Sequence, residues 1–183
     1  MSDDFGDGYK EYITDVPDFP KPGVGFKDIS PLLADEQTFR SAIVDMGRCV
    51  DASYNCPDYW IGIDSRGFIF AAALATYFGG GVVCARKKGK LPNASCKETY
   101  TLEYGTATLE MQHIDYDMHN PVTAIIVDDV LATGGTMLAT NKLAYQAGYD
   151  VINHLVLVDL KFVPKIAGVG IRDLRVESVV EYE

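Results

Sequence analysis

The chain has little of what marks several protein classes. Its four cysteines, Cys49, Cys56, Cys84 and Cys96, form no CxxC pair. Neither a disulfide framework nor a structural zinc is expected, and the thiols read as reduced, in a reducing compartment, with Cys84 in the core. The three histidines, His113, His119 and His154, have no metal-ligand spacing and read as surface or structurally bonded side chains. Positive charge is scarce: 16 Lys and Arg face 26 Asp and Glu, a net charge of −10. That balance argues against broad binding to nucleic acid or to an anionic membrane. The longest apolar stretch, Phe68 to Phe78, falls short of the ~20 residues that span a bilayer. The acidic, Gly-containing start has no basic region followed by an apolar one, so a cytoplasmic location is expected.

What is present is an ordinary globular composition, 48% apolar and 23% charged over 183 residues. No repeat or linker divides it, so residues 1–183 are expected to form a single domain, a size that buries ~70% of the unfolded chain's surface. Asp18 to Gly23, with two prolines and a glycine, reads as a loop. Ser30-Pro31 reads as a cap and first-turn proline of a short helix through Leu32 and Leu33. Asp35 caps a second helix, in which Phe39, Ile43, Met46 and Val50 recur at helical spacing. Apolar runs at Tyr59–Ile63, with Trp60 as core, and at Val82–Ala85, Ala124–Val127 and Leu155–Val158 read as buried strands. Helical stretches from Phe68 to the glycines at 79–81 and from Thr136 to Ala147, closed by Gly148, alternate with them. The fold class is α/β, with a central parallel sheet flanked by helices on both faces. Tyr100 to Met111, alternating around Gly105, reads as a two-stranded excursion away from that sheet.

The most informative stretch is Val127-Asp128-Asp129-Val130-Leu131-Ala132-Thr133-Gly134-Gly135-Thr136. An apolar strand delivers two carboxylates to its C-terminal end, where open α/β sheets bind ligands. Small residues then let backbone N–H groups converge before a helix N-terminus, which with the Thr133 and Thr136 hydroxyls suits a phosphate. The carboxylates would repel a phosphate but accept hydrogen bonds from ribose hydroxyls, so a ribose 5-phosphate satisfies both halves. A P-loop is disfavoured, because Gly89-Lys90 is followed by Leu91 rather than Ser or Thr. Arg86, Lys87, Lys88 and Lys90 form a local basic cluster in an acidic chain. By itself that would be a solvated loop.

The strand-to-helix stretch resembles the phosphoribosyl-pyrophosphate signature of type I phosphoribosyltransferases. Further blocks, in order from about Val16 to Leu160, resemble the adenine phosphoribosyltransferases in particular. These are Phe19-Pro20-Lys21-Pro22-Gly23-Val24 with Phe26-Lys27-Asp28-Ile29, Gly62 to Phe68, Arg86 to Pro92, and Tyr100 to Gly105. The resemblance implies transfer of 5-phosphoribosyl from its pyrophosphate donor to adenine, giving AMP and pyrophosphate, on a fold with a mobile catalytic-loop hairpin and a small N-terminal base-binding hood. It places Asp128, Asp129, Ala132, Thr133, Gly134, Gly135 and Thr136 on the donor's ribose phosphate. Asp64, Ser65, Arg66, Arg86, Lys87 and Lys90 fall on its pyrophosphate, and Val24, Gly25, Phe26, Lys27 and Leu160 on adenine. Gly25 and Lys27 stand where the family often has a bulkier apolar residue and an arginine, whose planar fork lysine lacks. Glu103 is implied as the acid/base residue, and a cis peptide is implied at Asp64–Ser65. Magnesium is implied, held mainly by donor oxygens and water, with an all-carboxylate site at Asp128 and Asp129 as the open alternative. A homodimer is implied as well. The rival class is a sensor that keeps the donor site; it would carry a DNA-binding domain or basic face. Enzymes for hypoxanthine-guanine, xanthine or orotate are the nearest catalytic rivals.

Overall fold

The computed structural model describes residues 6–19, 21–53, 55–102, 105–113, 121–166 and 174–183. In chain order the elements are α1 (Asp7–Lys10), β1 (Thr14–Val16), β2 (Phe26–Asp28), α2 (Ser30–Ala34), α3 (Glu36–Cys49), β3 (Tyr59–Ile63), α4 (Gly67–Phe78), β4 (Gly81–Lys87), β5 (Cys96–Leu102), β6 (Gly105–Met111), β7 (Val122–Leu131), α5 (Gly135–Gln146), β8 (Tyr149–Leu160) and β9 (Glu177–Tyr182). Seven strands form one sheet in the order β5-β6-β4-β3-β7-β8-β9, and β1 and β2 form a separate antiparallel ribbon. The pairs β3–β4, β3–β7, β7–β8 and β8–β9 are parallel. Among the described residues no helix is long and apolar enough to cross a membrane.

The near-continuous apolar strands are explained by burial on both faces. Strand side chains alternate with a period of two. Trp60, Ile125, Val127, Leu155 and Leu157 pack with α3 and α4, through Ala42, Ile43, Met46, Phe70 and Leu74. Ile61, Ile63, Ala124, Ile126 and Val156 pack with α5, through Met137, Ala139, Leu143 and Ala144. Trp60 is fully buried, as its strand position implies, and its indole N–H donates to the Gly79 carbonyl at 2.9 Å. Asp35 caps α3, its carboxylate accepting from the Thr38 amide at 2.8 Å, an arrangement worth ~1 kcal/mol. The loop at 18–24 is closed by the Gly23 amide on Asp18 Oδ1 at 2.7 Å and the Phe19 amide on the Val24 carbonyl at 3.0 Å.

Four expectations need correction. Ser30 is the first helical residue of α2 rather than its cap, because Asp28 Oδ1 already accepts from the Ser30 amide at 2.9 Å and its hydroxyl at 2.6 Å. Strand β7 does not stop at Val127 but runs on to Leu131, since it pairs with β8 through Asp128, Val130 and Leu131. The acidic pair therefore sits within a strand. The β5–β6 hairpin does not leave the sheet: Arg86 and Lys87 pair with Glu110 and Leu109. Leu109 and Met111 are buried on the α5 side, which draws β6 onto the edge. Finally, β4 is only half buried, with Val82 exposed, and Cys84 lies partly outside the core.

Candidate active site

The C-terminal ends of β3 and β7 are adjacent in the sheet, which brings their two following turns together. At β3 the chain turns through Asp64-Ser65-Arg66 into α4, and the Asp64–Ser65 peptide is cis. Two glycines permit the approach of this turn to the strands. A Cβ on Gly67 would lie 2.6 Å from the Val127 carbonyl oxygen and 3.1 Å from Asp128 Oδ1, and one on Gly62 would lie 2.8 Å from the Gly67 carbonyl oxygen. At β7 the chain passes through Ala132 and Thr133 to Gly134, whose φ of 84° places it in the left-handed region that suits glycine. Helix α5 starts there without a side-chain cap, leaving its first amides uncapped by a side chain, and its first turn borders the space in front of the acidic pair through Thr136.

That space is a cavity of about 440 Å³. Its walls include Asp64, Ser65, Arg66 and Lys87 on one side, and Asp128, Asp129, Ala132 and Thr136 on another. Gly25, Phe26, Lys27 and Leu160 line a third side. Residues from the three predicted groups thus converge on one volume. Val24, Thr133, Gly134, Gly135, Arg86 and Lys90 do not line it, although each adjoins a residue or turn that does. Glu103 lies outside the described residues.

The charges inside are already organised. Asp129, 5% exposed, holds Arg66 by an ion pair of 2.9 Å to Nε, and the Arg66 guanidinium sits 4.8 Å from the centre of the Phe26 ring. Asp128 accepts from the Asp129 amide at 2.9 Å. Burial, then the neighbouring Asp129 charge, push the Asp128 carboxyl well above the usual carboxylate range. Asp64 behaves in the opposite way. Burial pushes its carboxyl up, but the Lys87 amide, the Arg86 guanidinium and Lys90 together outweigh that and hold it below its ordinary value. The contacts are 3.1 Å to Arg86 Nε and 3.2 Å to the Lys87 amide. Asp64 therefore fixes the end of the basic segment. Arg86 also lies 5.4 Å from the centre of the Phe68 ring. Among the described residues no group of three or more His, Cys, Asp and Glu is disposed to hold a metal.

A phosphoribosyl transferase domain model matches residues 48–161, the span that holds both turns, the basic segment and the acidic pair. Adenine phosphoribosyltransferase from Hydrogenovibrio crunogenus is 44% identical over 174 residues, covering 94% of this chain and 95% of the relative. The chain belongs to the adenine phosphoribosyltransferases. Family structures agree with the fold. The crystal structure of adenine phosphoribosyltransferase from Rhodothermus marinus superposes with a TM-score of 0.83 at 36% identity, covering all of both chains. APRTase from Giardia lamblia, complexed with 9-deazaadenine, gives a TM-score of 0.84 at 32% identity, with 96% of each chain covered.

Against this adenine phosphoribosyltransferase frame, two features of the cavity were not read from the sequence. Tyr100 lines it, its hydroxyl 3.2 Å from Thr136 Oγ1, so that the hairpin closes against the start of α5. The available signal was Tyr100's position at the head of the Tyr100-to-Gly105 block. The second feature is the orientation of Lys27. Its ammonium pairs with Asp15 and sits 3.6 Å from the centre of the Tyr182 ring, with its side chain 11% exposed. Lys27 contributes to the cavity wall, but its charge is engaged by β1 and β9. His154 is buried and bonded to Asn141 Oδ1 at 2.9 Å and the Arg175 carbonyl at 3.2 Å, a structural role.

Proposed function

We propose that the chain transfers the 5-phosphoribosyl group of phosphoribosyl pyrophosphate to N9 of adenine, giving AMP and pyrophosphate in purine salvage. The observation that carries this reading is one cavity bordered by an acidic pair within a strand, an uncapped helix N-terminus, a basic turn and an aromatic ring. The 5-phosphate is received by the amides of the 132–136 turn and the hydroxyls of Thr133 and Thr136, where the helix dipole favours an anion. Asp129 and Asp128 take the ribose hydroxyls. Arg66 then exchanges Asp129 for the donor's pyrophosphate, joined by Lys87, Arg86, Lys90 and the Ser65 backbone. These groups stabilise the charge that grows on the departing oxygen as the anomeric C–O bond breaks with its electron pair.

Adenine enters on the side of Phe26 and Leu160, and 9-deazaadenine on the Giardia lamblia relative supports a purine of this shape. Because the Lys27 charge is engaged elsewhere, the base edge is read by the backbone from Val24 to Lys27, while Phe26 offers a stacking face. N9 bonds to the anomeric carbon, and the proton lost from the base passes to Glu103, an assistance worth ~10²–10⁴-fold.

Asp129 is already paired with Arg66, and burial beside Asp129 raises the Asp128 carboxyl above its ordinary range, so the pair is a poor carboxylate cage for a cation. The residues fit magnesium carried in by donor oxygens and water, where it would neutralise pyrophosphate charge. We read residues 1–183 as one cytoplasmic catalytic domain acting as a homodimer on small-molecule substrates. The test offers adenine, hypoxanthine, guanine, xanthine and orotate separately, with donor and Mg²⁺, and identifies the nucleotide formed. AMP from adenine alone is expected. Nucleotide from another base would move the specificity, and donor binding without turnover would favour the sensor.

A further inference from the structure

The segment that follows β8 offered no chemistry in the sequence, yet it carries a lysine with an unusual environment. The Lys165 ammonium lies 2.7 Å from Asp159 Oδ1, 2.7 Å from the Ala132 carbonyl oxygen and 2.8 Å from the Leu160 carbonyl oxygen. The Leu131 carbonyl oxygen is a longer fourth neighbour at 3.4 Å. An ammonium has three N–H bonds, and here the Ala132, Leu160 and Leu131 carbonyl oxygens accept them, while Asp159 Oδ1 balances the charge as an ion pair. Its side chain is 19% exposed, and Asp159 is 3% exposed. This is not a solvated surface charge. The next residue repeats the attachment, since the Ile166 amide donates to the Thr133 carbonyl at 3.0 Å.

The acceptors belong to two different walls of the cavity. Ala132 opens the turn that leads to the α5 N-terminus, and Leu160 ends β8 on the base side. Strand pairing brings Leu131 beside Asp159; just past that last pair, where the two chains part, a single ammonium bonds to the backbone of both. Arginine could not replace it, because a planar fork cannot point three donors at convergent carbonyls. We propose that Lys165 is a positioning residue that fixes the distance between the phosphate-binding turn and the base-binding wall, and so the fit of a ligand spanning both. The inference rests on the transferase reading given above.

AMP spans both walls, whereas pyrophosphate engages the turn at Asp64–Arg66 and the basic segment. Binding of AMP and of inorganic pyrophosphate is therefore measured by calorimetry on the full chain, beside thermal unfolding, for wild type, Lys165→Met, and Lys165→Met with Asp159→Leu. Lys165→Met should weaken AMP about tenfold, the loss of charged hydrogen bonds, leave pyrophosphate within about twofold, and lower the unfolding temperature by leaving Asp159 to Lys161 alone. The double variant removes the buried charge along with its partner, so its stability should recover. AMP affinity should not. Recovery of both would show that Lys165 merely neutralises Asp159 and would overturn the proposal, as would unchanged AMP affinity in Lys165→Met or equal losses for both ligands. Wild type that binds pyrophosphate but not AMP would remove the transferase reading and this inference together. If Lys165→Met does not fold, the double variant alone decides, by its ratio of AMP to pyrophosphate affinity.

Discussion

The half of the cavity that we assign to the donor rests on strands β3 and β7 at the centre of the seven-stranded sheet, whereas the half that we assign to the base is carried by a two-stranded ribbon outside that sheet and by the end of β8. In the donor half, neighbouring positions in sequence become neighbouring groups in space: a strand, a glycine-bearing turn and a helix start. The base half is assembled from Gly25 to Lys27, Leu160, and the Asp15 and Tyr182 that hold Lys27. Local geometry builds the first and long-range contacts build the second. The donor half should therefore tolerate little change at its glycines and carboxylates, while the base half should respond to substitutions far from the ligand.

Several experiments would sharpen or break this contrast. Glu103→Ala should give the largest effect, lowering kcat by ~10²–10⁴-fold while donor affinity changes little; steady-state kinetics beside equilibrium donor binding would show it. Asp129→Ala should weaken donor binding roughly 10- to 100-fold, as expected for a charged hydrogen bond, with a smaller effect on adenine. Equal losses for both substrates would mean that the halves are not separately built. Gly67→Ala places a methyl group 2.6 Å from the Val127 carbonyl oxygen, and should destabilise the fold by ~1–3 kcal/mol in denaturant titration. Tyr182→Leu removes the ring beneath Lys27 and should raise KM for adenine about two- to fivefold, with KM for the donor unchanged and Tyr182→Phe close to wild type.

The smallest expected effect is a slope. A carboxyl whose folded pKa is raised stabilises the fold at low pH and loses that contribution as pH rises through the folded value. Asp128 is such a group. Asp128→Asn should therefore gain stability relative to wild type as pH rises above the ordinary carboxylate range, measured as unfolding temperature across pH. A constant difference between the two proteins would show that Asp128 is ionised in the fold.

The geometry of the half that we assign to the donor was legible in the sequence because its parts are contiguous. Asp128 to Thr136 spells the strand end, the turn and the helix start, and Gly62 to Gly67 spells the partner turn. The boundaries were less legible. Val127 looked like a strand end because Asp128 and Asp129 are charged, but backbone pairing with β8 carries the strand past them. The hairpin looked detached because alternation marks a strand with one wet face without naming the edge it joins. The resemblance puts Lys27 on adenine, and nothing local announces that Asp15 and Tyr182 take its charge. Tyr100 and Lys165 gave no signal of partners 36 and 33 positions away.

The placement of β9 has a consequence for the order in which the protein is made. Strand β9 joins the sheet edge beside β8, a Cβ on Gly6 would meet the Val179 carbonyl oxygen at 2.6 Å, and Lys10 sits 5.4 Å from the centre of the Tyr182 ring. Residues 6–10 thus dock on residues 179–182, which are synthesised long after them. During translation the strands and helices from β3 to α5 emerge before residue 160, while Lys27, made earlier, must wait for Tyr182 to leave the ribosome before it has its seat.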